Sequence, residues 1–251
     1  MIRLDIEKLL SFLDNPKPED AHNASSIVGV IGEDLAAGAY MHYYRNTRRV
    51  LHDVSVTEGK KRGKWLDRWF VDDTSKTLYQ CEIKSWSASA IGGHRLALDA
   101  SPEEVKRIGV LNMRGLAKNF VSEVQPNHVT KVLQKMRLPD GTEYSSYTVL
   151  PLLIVWMCVA DDTSEISPIL QLQNVPCGLH FNTLEVFSVS LYLRSLYAKG
   201  IREIDIDAPS MQNRINTLNS FIASDASKAF MDALTASDDT HYKRLRREGS
   251  Q

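Results

Sequence analysis

Residues 77–86 read TLYQCEIKSW, and the fold turns on whether this run is a strand. Its β-formers, and the turn-forming DDTSK of residues 72–76 before it, predict an extended segment that closes a hairpin. Side chains alternate along a strand, so Glu82 and Lys84 share one face while Cys81, Ile83 and Ser85 share the other. A turn centred on residues 74 and 75 makes the numbers of antiparallel partners sum to 149, which pairs Asp67 with Glu82. Directly opposed residues have Cβ atoms roughly 4.5–5.5 Å apart, so two carboxylates would face one another and repel. A divalent cation relieves that repulsion, and Mg²⁺, or Mn²⁺ in its place, needs only one or two protein carboxylates. Lys84 adds positive charge where an attacking water and a phosphate would meet.

Outward from this hairpin, Val50 to Val56 and Trp65 to Val71 read as extended, separated by the basic EGKKRGK of residues 58–64. Three strands with two tight connections form an antiparallel meander. Ahead of it, Ile27, Val30, Ile31, Leu35, Ala39 and Tyr43 recur at threes and fours and predict a helix over about 23–44, whose Gly29, Gly32 and Gly38 suit close packing on a sheet. A shorter leading helix over 3–14 ends at DNPKPED.

Beyond the hairpin, the loop SASAIGGHR leads to SPEE at 101–104, with an N-cap serine, a first-turn proline and a capping-box glutamate, which predicts a helix over 102–120. A helix near 127–136 follows. The unbroken apolar run from Val149 to Val159 suits a strand covered on both faces, hence central or parallel. Residues 184–198 read as a helix ended by Gly200, 201–207 as a strand, and 209–235 as helices before a basic tail. The expected organisation is a leading helix and linker (1–20), an α/β core with a mixed central sheet (21–208) and a C-terminal helical extension (209–251).

Thirty basic residues nearly cancel 31 acidic ones, so a polyanion would have to be met by a local patch rather than by the whole-molecule field. Lys60, Lys61, Arg62 and Lys64 on the first hairpin supply one such patch. Lys106, Arg107, Arg114 and Lys118 on the following helix supply another. His94 and Arg95 are loop candidates for phosphate contact, although solvated faces are the ordinary use of such residues. Trp65, Trp69 and Trp86 could stack on bases, but core packing is their commoner role. Asp72 and Asp73 read as turn formers.

Cys81, Cys158 and Cys177 are widely spaced and suit reduced thiols in a cytoplasmic protein. No CxxC or Cys/His cluster suggests zinc, and no GxSxG, Walker or dinucleotide fingerprint occurs. The apolar stretch 149–160 is too short to span a bilayer as a helix, so no membrane partner is expected.

Asp67, fourteen intervening residues and then Glu82-Ile83-Lys84 resemble the motif of the PD-(D/E)XK nuclease superfamily. The resemblance extends to the order helix, three antiparallel strands, helix, strand over about residues 24–160, and departs from the motif where Leu66 replaces proline before Asp67. It implies a restriction-endonuclease-like core, with Asp67, Glu82 and the Ile83 carbonyl as Mg²⁺ ligands and Lys84 orienting water. Glu33 matches an acid on the first core helix that joins the metal site. The implied activity is hydrolysis of phosphodiester bonds, in DNA first of all. By analogy with the family, the setting is a homodimer or a multi-component restriction or antiviral defence system. The rival expectation is a nuclease-fold module that binds nucleic acid or a protein partner without cutting.

Overall fold

The computed structural model describes residues 1–14, 21–45, 47–51, 68–85, 94–121, 144–173, 183–213 and 216. In chain order its elements are β1 (Ile2–Asp5), α1 (Ile6–Asp14), α2 (Ala21–Tyr43), β2 (Arg48–Val50), β3 (Arg68–Asp72), β4 (Thr77–Lys84) and α3 (Pro102–Val121). Then come β5 (Thr148–Val155), β6 (Ile169–Gln173), β7 (Thr183–Ser188), α4 (Val189–Ala198) and β8 (Glu203–Ile206). The chain divides into two compact units, Met1–Ala208 and Pro209–Gln251, of which the second is described only at its helical start. No described helix is long and apolar enough to cross a membrane.

Six strands form one mixed sheet in the order β2-β3-β4-β5-β7-β6. The pairs β2/β3, β3/β4 and β6/β7 are antiparallel, whereas β4/β5 and β5/β7 are parallel. The β3–β4 register pairs Arg68 with Cys81 and Asp72 with Thr77, so partner numbers sum to 149 as the hairpin reading required. Asp72 closes this hairpin by accepting the Thr74 and Ser75 amides at 3.0 Å each. Lys76 takes φ of 49° to complete the turn. β5 lies between two parallel neighbours, and Leu152 to Val155 are buried, as expected of an unbroken apolar strand.

One row across the sheet runs Arg68, Cys81, Leu152, Glu185, Gln171, and residues in register share a face. α2 covers this face: the Tyr40 ring lies 4.8 Å from Phe70 and 5.2 Å from Phe187. Beneath α2 a buried polar cluster centres on the Glu185 carboxylate, which accepts from Arg48 Nη1 at 2.7 Å and from the Tyr40 hydroxyl and Gln171 Nε2 at 2.8 Å. The Arg48 guanidinium is sandwiched 3.5 Å from the Tyr44 ring and 3.9 Å from the Tyr79 ring. Burial pushes the Tyr79 hydroxyl up to about 12, with Arg48 opposing.

Arg48 starts edge strand β2, whereas Glu185 lies four strands away on β7. Four spacings of about 4.8 Å make roughly 19 Å on a flat sheet, more than these two side chains span, so this face is concave around α2. Gly38 lets α2 approach the 206–207 segment: a Cβ there would lie 2.7 Å from Ile206 Cδ1 and 3.2 Å from the Asp207 carbonyl.

Three sequence expectations are corrected. Residues 184–198 are not one helix: β7 runs to Ser188, which adopts φ −97°, ψ 110° and accepts the Leu191 amide, so the helix begins only at Val189. Burial of both segments removed the periodicity that would have separated them. The leading helix starts at Ile6, because residues 2–5 pair with β8 and Asp5 accepts the Lys8 amide at 3.0 Å. The meander begins at Arg48, and β6 had no counterpart in the reading. The segments 52–67, 127–136 and 217–251 lie outside the described residues.

Removing one partner of the buried Arg48–Glu185 pair leaves an uncompensated charge, so Glu185→Ala should cost about 3–5 kcal/mol in urea unfolding. Arg48→Met combined with Glu185→Leu should recover most of that loss, and the cycle measures the coupling. His42 Nδ1 lies 2.6 Å from the Tyr192 hydroxyl, and burial holds the imidazole below its ordinary 6.5, with Asp205 opposing. A depressed histidine contributes stability that is complete above the unfolded value and is lost as pH falls through the folded one. Thermal stability should therefore fall as pH drops below about 6.5, and His42→Asn should flatten that slope.

Candidate functional site

The parity of β4 decides where its charges go. Cys81 and Ile83 are buried, and Cys81 shares its face with Arg68 toward α2. Glu82 and Lys84 therefore lie on the opposite face, in register with Leu153 and Val155 of β5 and then with Val186 and Ser188 of β7. The Lys84 amine donates to the Glu82 carboxylate, and their side chains keep only 16 % and 13 % exposure. A charged pair this shielded, beside the apolar Leu153 and Val155, interacts through a lower dielectric than a surface pair.

Lys84, Val155 and Ser188 are the last residues of three neighbouring parallel strands, so the pair sits at the carboxyl ends of β4, β5 and β7. In open α/β sheets this is the end at which ligands are bound. Ser188 organises that end, accepting the Leu191 amide at 3.2 Å and donating to the Met157 carbonyl, while the Ser190 amide donates to the Trp156 carbonyl at 3.0 Å. Chemically, the pair supplies a carboxylate able to hold a hard cation and an amine able to hold an anion, each neutralising the other.

Of the residues singled out in the sequence, Glu82, Ile83 and Lys84 are brought together on β4. Glu33 is half-buried on α2, directly before Asp34, which is 3 % exposed and ion-paired with Arg68. That pair lies on the α2 face of the sheet, away from the side chains of Glu82 and Lys84. Asp67, Lys60, Lys61, Arg62 and Lys64 lie outside the described residues. Among the described residues, no group of three His, Cys, Asp or Glu side chains gathers as a metal centre.

The basic patch on α3 is less open than its composition suggests. Arg107 bonds both Glu104 oxygens at 2.6 and 2.8 Å, and Arg114 reaches Asp162 at 3.3 Å. His94 and Arg95 stand exposed in the irregular segment that leads from β4 toward α3. Asp73, the second turn acid, takes Arg49 at 2.9 and 3.3 Å and the Tyr147 hydroxyl at 3.0 Å. Hydrogen bonds from Arg49 hold its carboxyl below the usual range.

Sequence reasoning passed over Asp34, Arg68 and Glu185. Glu185 carried the clearest signal, a lone acid within the apolar LEVFSV, since an unpaired carboxylate is almost never buried. Asp34 was masked by its neighbour Glu33, because helix faces two positions wide cannot be assigned from glycine-rich periodicity alone. Compared with family models, curated proteins and solved structures, the chain matches none.

Proposed function

We propose that this chain is a metal-dependent nuclease of the PD-(D/E)XK kind that hydrolyses phosphodiester bonds, in DNA first of all. The observation that carries the reading is the shielded Glu82–Lys84 pair on one face of β4, at the carboxyl ends of three parallel strands. The element order α2, β2, β3, β4, α3, β5 accords with a restriction-endonuclease-like core. The 149 register supports a role for Asp67 as the partner acid of Glu82, one residue before the described start of β3.

The donor set suits Mg²⁺, or Mn²⁺, because a hard cation takes oxygen ligands and leaves several positions to water and phosphate. Glu82, the Ile83 carbonyl and Asp67 would hold it; Glu33, which the resemblance adds to the site, stands on α2, the helix that covers the other face of the sheet from Glu82. When bound, the cation supplies Lewis-acid stabilisation of charge on the departing oxygen. Lys84 then does the work of the chain itself: released from Glu82, its amine holds the attacking water by a hydrogen bond and draws the phosphate into line.

The ion pair also suits a second reading, a nuclease-fold module that binds nucleic acid or a protein partner without cleaving. The two part on Glu82→Ala: a metal site predicts lost Mn²⁺ affinity in calorimetry, and a purely structural pair predicts none. A cytoplasmic setting in restriction or defence, as a homodimer or beside a partner protein, belongs to the same proposal by family analogy.

Purified protein with plasmid, linear and single-stranded substrates should cleave with Mg²⁺ and stop with EDTA. Lys84→Ala should lower the cleavage rate by about 10²- to 10⁴-fold while the cooperative thermal transition is kept. Full activity in Lys84→Ala would refute the assignment.

A further inference from the structure

α4 carries a buried cation whose Nη1 and Nη2 donate to the backbone of a loop. Arg194 is 7 % exposed, and its Nη1 donates to the carbonyls of Ala97 at 2.8 Å and Leu98 at 3.4 Å, while Nη2 donates to that of Leu96 at 3.0 Å. Three consecutive carbonyls are thus gathered by one planar fork, a geometry that lysine cannot reproduce. Residues 94–97 belong to no helix or strand, so their backbone needs partners of another kind.

The place of that loop matters. Leu96 is buried with Val105, Ile108, Cys158 and Leu191. Cys158 stands three residues past the end of β5, and Leu191 lies in the first turn of α4. The loop is therefore seated at the end of the sheet where Lys84, Val155 and Ser188 form the last row. His94 and Arg95, both exposed, immediately precede the carbonyls that Arg194 holds. Burying a guanidinium carries a desolvation cost, which here is offset by its hydrogen bonds to the loop carbonyls.

We propose that Arg194 is a positioning residue for nucleic-acid contact, fixing residues 96–98 so that His94 and Arg95 are presented to the phosphate backbone beside the Glu82–Lys84 pair. The role rests on the nuclease reading of that pair.

The test measures binding of a duplex DNA oligonucleotide to the full chain across a salt series, with Ca²⁺ replacing Mg²⁺ to prevent cleavage. Arg194→Gln should weaken binding about tenfold and lower the salt slope by about 1, although Arg194 itself need touch no phosphate. In a His94→Ala/Arg95→Ala background it should cost nothing further. Arg194→Lys should restore part of the affinity, and it carries the same comparison if Arg194→Gln does not fold. Independently, the Ala100 amide, which donates to the Ala97 carbonyl at 3.2 Å, should exchange hydrogen faster in Arg194→Gln.

An equal loss of affinity in both backgrounds would overturn the positioning role and leave the nuclease reading standing. Unchanged exchange at Ala100 would overturn the anchor itself. If the wild-type chain binds no DNA, the nuclease reading fails together with the role, and the exchange experiment still reports on the anchor.

Discussion

A strand flanked on both sides and covered above and below can carry charge only where that charge is compensated, and this constraint governs the whole sheet. β4 meets it with Lys84 against Glu82, two residues apart on one face. On the other face α2 meets it twice: Asp34 pairs with Arg68 of β3, and Tyr40 and Tyr44 join Arg48 in enclosing Glu185 of β7. Such pairs add little net stability compared with apolar packing. Their effect is on specificity, because each acid tolerates only the neighbour that neutralises it.

This places two different electrostatic environments on the two faces of one sheet. The concave α2 side is closed, with tyrosine rings on both sides of a guanidinium and every oxygen of Glu185 engaged. The opposite side keeps its charges at the carboxyl ends of the strands. A packed interior behind a partly accessible pair is the arrangement expected of a scaffold that holds reactive groups in place.

Local chemistry made much of this legible. The DDTSK turn and strand alternation were enough to number the β3–β4 register, and SPEE marked the start of α3 to the residue. The unbroken apolar run marked β5 as internal. What escaped reading was long-range. Nothing near residues 2–5 announces that their partner lies at 203–206, and nothing near Glu185 identifies Arg48 as its counterion. The strand-to-helix change at Ser188 was hidden for another reason: both segments are buried, so neither displays the polar face by which a period is recognised. At the site, the E-x-K spacing conveyed which side chains share a face, but the choice between Glu33 and Asp34 as the residue turned toward the sheet depended on helix rotation.

The antiparallel ribbon of β1 and β8 sets an order for biosynthesis. Ile2 and Arg3 find their ladder partners only at Ile206 and Asp205. β1 must therefore wait for β8 while the intervening residues are translated, and loop closure over that separation is slow. During that interval Leu4, destined for burial, is an available edge for another nascent chain, and the flanking Arg3 and Asp5 are the charged gatekeepers that discourage such pairing.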